Sequence, residues 1–120
     1  MRIALFAALT TALLAGCDAA PMSQAQPMTD QRLDTARTAL QNPAQRQSFM
    51  AQCQRMAGGY APRDVANMGV LMNVSAADVP ATFCNRMVAG VEDGRLSATD
   101  FEAMQRGEIN PAILSVLQNR

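Results

Sequence analysis

Two short phrases govern how this chain can fold: Cys53-Gln54-Arg55-Met56 and Cys84-Asn85-Arg86-Met87. Each sits in a run whose apolar residues recur at three and four positions, the period of one helix face. Phe49, Met50, Cys53, Met56 and Ala57 form the first stripe; Phe83, Cys84, Met87, Val88 and Val91 form the second. Glycines close both runs, Gly58-Gly59 in one and Gly90 or Gly94 in the other. A cysteine and a methionine three apart share a face, which turns Arg55 and Arg86 toward solvent. The repeat predicts two helices that present equivalent faces.

The remaining chain supplies further helices of the same kind. Thr29 caps a run in which Leu33, Ala36 and Leu40 align, and Asn42-Pro43 opens the first cysteine helix. Val65, Met68 and Met72 align between Pro62 and Met72, where Gly69 interrupts the pattern. Ser75 to Asp78 resembles a capping box, and Val74 is placed to staple onto Val79. Pro80 argues against a clean helix start there, so a short turn is expected at 75–78 and the main helix from about Val79. Leu96-Ser97 to Asp100-Phe101 combines a capping box with a staple and starts a helix to about Arg106, ended by Gly107. Glu102 and Arg106 are spaced for a surface ion pair. Ile109-Asn110-Pro111 opens the last helix, with Ile109 stapling onto Leu114 and with Ile113, Val116 and Leu117 apolar. No stretch alternates with the period of a strand. The predicted fold is all-α, a small bundle of five to six short helices.

Met1-Arg2 is a short basic start, and residues 3–14 are apolar over a length suited to a signal-peptide core rather than a membrane span. The segment ends in Leu14-Ala15-Gly16-Cys17. This motif resembles the lipobox of bacterial lipoproteins. The resemblance covers the first seventeen residues and implies a signal peptide over 1–16, cleavage before Cys17, and a thioether-linked diacylglycerol on Cys17. Acyl chains then hold the protein at the membrane, each buried methylene contributing about 0.8 kcal/mol. Asp18 resembles the inner-membrane retention signal of enteric lipoproteins, and the resemblance places the domain on the periplasmic side. Wall attachment through a C-terminal lysine is not expected, since the sequence closes on Arg120. Residues 17–28 read as the lipidated N-terminus and a tether with two prolines, Pro21 and Pro27, and no periodicity. A flexible chain of that length spans roughly 20 Å. Residues 29–120 are the helical domain.

Beyond the cytoplasmic membrane disulfides form and persist. With Cys17 lipidated, Cys53 and Cys84 remain, and the lipoprotein reading implies a bond between them. The sharper alternative is a soft-metal or thiol-redox protein. Cys53, Met56, Cys84 and Met87, helped by Met50, offer the thiolates and thioethers that select Cu(I), provided that the cysteines stay reduced. Asp93 to Phe101 resembles the second half of an EF-hand loop, but Ala89 and Val91 occupy its first and third ligand positions, so calcium binding is not expected.

All ten basic residues are arginine, histidine is absent, and the formal charge is zero. No charge excess draws the chain to nucleic acid. The serines have neither histidine nor lysine to activate them, so no catalytic constellation and no resident cofactor are expected. What remains is an interaction or structural accessory module. Its partner is expected in an apolar groove between helices, with Met68, Leu71 and Met72 as candidate lining.

Overall fold

The computed structural model describes residues 26–120. Cys17, the expected signal segment over 1–16 and most of the expected tether over 17–28 lie outside the described residues. Six helices follow one another: α1 (Asp30–Leu40), α2 (Pro43–Gly58), α3 (Pro62–Met72), α4 (Val79–Glu92), α5 (Ala98–Gln105) and α6 (Pro111–Leu117). A 3-10 turn, Ala76–Asp78, leads into α4. No strand occurs among the described residues, and one disulfide staples the bundle, as the periodicity and the lipoprotein reading predicted.

The helix starts follow from side-chain caps. The Thr29 hydroxyl accepts from the Arg32 N–H, and the Asn42 amide oxygen accepts from Ala44 and Gln45. Ser97 and Asp100 form a full reciprocal capping box, and the Asn110 oxygen takes the Ile113 N–H. Each cap satisfies donors that a helix N-terminus leaves orphaned. At Ser75 the short turn expected over 75–78 forms rather than a box-capped helix start, and the Ser75 hydroxyl donates to the Asp78 carboxylate at 2.6 Å. With Pro80 near the helix start the chain enters α4 through the 3-10 turn.

α3 and α5 end in Schellman closures on left-handed residues, whereas α1 and α2 end on right-handed Gln41 and Gly59. Asn73 (φ 56°) closes α3, with Val74 N–H donating to Gly69 O and Asn73 N–H to Val70 O. Gly107 (φ 76°) closes α5 by the same pair of bonds to Ala103 and Met104. Across this turn Arg106 pairs with Glu108, Nε to Oε1 at 3.1 Å, and not with Glu102 as the spacing suggested.

Two glycines read as helix breakers are packing positions. α3 runs straight through Gly69, where the chain after Asn73 folds back so closely that a Cβ would lie 2.8 Å from the Val74 carbonyl oxygen. α4 likewise continues through Gly90, where a Cβ would meet Leu96 and Val116 side chains at 3.0 Å. Gly69→Ala should therefore destabilise the protein by about 1–3 kcal/mol through steric overlap, although alanine is the better helix former. Urea unfolding measures this, and a variant as stable as the parent would mean that the Val74 backbone moves away freely.

α4 is the axis of the bundle. It buries Val79, Cys84, Met87, Val88, Gly90 and Val91, and α1, α2, α3, α6 and the 3-10 turn all pack on it. The main core joins Leu33 and Leu40 of α1, Met72, Val79, Met87, Val88 and Val91 of α4, Leu96, Ala103 of α5, and Ile113, Val116 and Leu117 of α6. A second, small cluster holds Cys53, Ala57 and Cys84. Arg37 docks α1 onto the end of α4, donating from Nε to Val91 O at 2.9 Å and from Nη2 to Leu96 O at 3.3 Å.

α5 and α6 are joined through one carboxylate. Asp100 accepts from the Ser97 N–H and hydroxyl on one oxygen and from the Asn110 amide, at 2.6 Å, on the other. Burial pushes its carboxyl up, but the bonds from Ser97 and Asn110 outweigh that and hold it below the ordinary carboxylate value. A depressed folded pKa stabilises the fold above the unfolded value and loses that contribution as pH falls through the folded one. The stability gap between the parent and Asp100→Asn should stay constant at neutral pH and shrink below about pH 4, the ordinary aspartate value. A gap unchanged down to pH 2 would overturn this assignment.

Candidate interaction groove

The disulfide lies at one side of the bundle, joining α2 to α4 with Cα atoms 5.9 Å apart. Its surroundings differ from the expected symmetric seam. Met50 and Phe83 pack against it, whereas Met56 is 63% exposed and Met87 belongs to the main core. α2 has only α1 and α4 as substantial neighbours, so a narrow stripe of Cys53 and Ala57 is buried and Phe49, at its edge, stays exposed. The four sulfur donors of a Cu(I) site are therefore divided: both cysteines are spent in the bond, one methionine faces solvent and one packs in the core. Among the described residues no group of three or more cysteines, histidines or carboxylates is arranged to hold a metal ion.

The two arginines of the repeated phrase also part ways. Arg55 is exposed, but Arg86 turns inward and donates from one nitrogen to the carbonyl of Met72, at 3.0 Å, and to that of Leu117. These are last-turn carbonyls of α3 and α6, which a helix leaves without partners and which carry its negative end. A cation there pins two helix C-termini to one point on α4. Gln118 adds a bond from Nε2 to Leu71 O at 3.5 Å. Helix periodicity gave no sign of this, because it assigns Arg86 a direction by position and ignores the reach of a long side chain.

Pinned at these ends, α3 and α6 enclose an apolar groove of about 600 Å³. Met68, Leu71 and Met72 from α3 all line it, as the sequence suggested. Met72 is 2% exposed, so it is buried floor rather than an open contact. Ile113 and Leu117 face them from α6, Met104 contributes from α5, and Phe83 of α4 lies beneath. Tyr60 and Ile109, 46% and 57% exposed, stand at the rim. Ile109 thus forms the groove's edge. Sequence reasoning missed the α5–α6 wall, since its residues are more than thirty positions from α3 in the chain and no spacing rule within a helix brings them there.

No protein-family model matches this chain, and no match was found among curated proteins or solved structures. Among the described residues no helix is long and apolar enough to cross a membrane.

Proposed function

We propose that this protein is a lipid-anchored accessory module on the periplasmic side of a bacterial membrane, and that it receives a protein partner in the α3–α6 groove. The groove carries the reading: it is the place where methionine and leucine side chains line an open apolar surface on a small, otherwise arginine- and carboxylate-studded domain. Flexible methionines suit a surface that repacks around a partner. The lipobox-like Leu14 to Cys17 supplies the anchor, and Asp18 favours the inner membrane.

Two measurements test the two halves. Cys17→Ser should leave the membrane fraction or accumulate unprocessed; processing and fractionation like the parent would remove the anchor. A photo-crosslinking residue at Leu71 in living cells should yield one discrete protein adduct, which Met68→Asp abolishes. The same residue at Val70, 84% exposed on α3, serves as the control. Identical adducts from both positions, or none from Leu71, would remove the groove as a partner site.

A further inference from the structure

From the shape and charge of the groove we infer that its occupant is an amphipathic helix whose apolar face is bordered by lysine or arginine; this rests on the groove being a protein-binding site. The walls of the cleft are tied to each other at one end. Arg86 and Gln118 draw the C-terminal ends of α3 and α6 together at Met72 and Leu117. Both walls rest on α4, and Tyr60 and Asp64 line the cleft together with Gly107, Glu108 and Ile109, which precede α6. The α3 wall presents positions 64, 67, 68, 71 and 72, the three- and four-residue spacing of a helix ridge. Such a ridge packs against the complementary groove of another helix.

Charge selects among helices. Among the described residues the charged ones lining the cleft are Asp64 and Glu108, both acidic and both exposed. Asp64 has no ion-pair partner among the described residues. Glu108 is held below the ordinary carboxylate range by the hydrogen bond and charge of Arg106, so it remains ionised, and that arginine offsets part of its field. Among the described residues no cation lines the cleft. An apolar segment flanked by basic residues thus meets complementary charge as it enters, whereas an acidic flank or an anionic lipid headgroup meets repulsion.

The test uses the full chain, methyl-labelled at methionine, in phosphatidylcholine nanodiscs. The probes are a 14-residue leucine/lysine amphipathic peptide and its leucine/glutamate counterpart. The lysine peptide should shift the Met68, Met72 and Met104 methyl signals saturably and leave Met56 in place. The glutamate peptide should bind about tenfold more weakly, and Asp64→Asn should narrow that ratio by about threefold, the behaviour of rim charges. Equal affinity for both peptides at those methyls would overturn the basic-helix inference while leaving the groove as a protein site. Movement of the same methyls by dodecanoate, with neither peptide binding, would overturn the inference in favour of an acyl ligand. Silence at those methyls with every probe, together with a failed Leu71 cross-link, would overturn both.

Discussion

Replacing both Cys53 and Cys84 by alanine should cost about 3–4 kcal/mol, the chain-entropy value for opening a loop of this length. The loop spans 31 positions, and the bond stands in for a core that α2 does not have: Cys53 and Ala57 are its buried side chains. The loss should be uneven. α2 is otherwise held by Met50 and by Arg46, whose Nε lies 2.9 Å from Glu92 at a partly exposed surface. Exposed pairs of that kind contribute at most about 1 kcal/mol. Hydrogen exchange should therefore accelerate first in α2, with α4 and α6 protected up to global unfolding. The double serine variant should fare somewhat worse, because it also buries hydroxyls beside Phe83. A parent-like unfolding midpoint for the alanine pair would show that the staple merely records proximity.

Arg86→Met should be the most damaging single substitution outside the apolar core, at about 2–4 kcal/mol. The thioether fills much of the arginine stem's space but leaves the Met72 and Leu117 carbonyls without their charged donor, and hydrogen bonds to charged groups each contribute about 1.5–3 kcal/mol. Arg86→Lys should recover part of the loss, since an ammonium supplies charge without the planar fork. The matched arginine provides the control: Arg55→Met, on an exposed position, should be near neutral. Equal effects at the two positions, measured by urea unfolding, would mean that Arg86 acts only as part of the general surface. Loosening at Asn73, Gln118 and Asn119 in hydrogen exchange would locate the damage at the groove's closed end.

Much of this architecture is legible in the sequence because it is local. Thr29, Asn42-Pro43, Ser97 with Asp100, and Asn110-Pro111 each set a helix start with atoms three residues apart or fewer. The candidate groove was partly legible for the same reason, since Met68, Leu71 and Met72 lie on one helix. What stayed hidden depends on neighbours. Gly69 and Gly90 look like breaks until another strand of backbone or side chain is seen to occupy the space a Cβ would need. Met56 and Met87 hold the same place in the same phrase, yet one is exposed and the other buried, because α4 is surrounded and α2 is covered on one side. Arg37 and Arg86 spend their charge on carbonyls 14 to 59 residues away, which no spacing rule within a helix can reveal.

The position of the disulfide has a mechanical consequence. Tension applied between Gln26 and Arg120 travels along α1 and into α2 only as far as Cys53, then crosses the sulfur bridge to Cys84 and continues through α4. Residues 54–83 hang from that bridge as a closed loop, and no tension passes along their backbone while it is intact. All of α3 lies in the loop, with Met68, Leu71 and Met72. A domain pulled from its two ends can thus lengthen at α1, α5 or α6 while one complete wall of the groove stays slack.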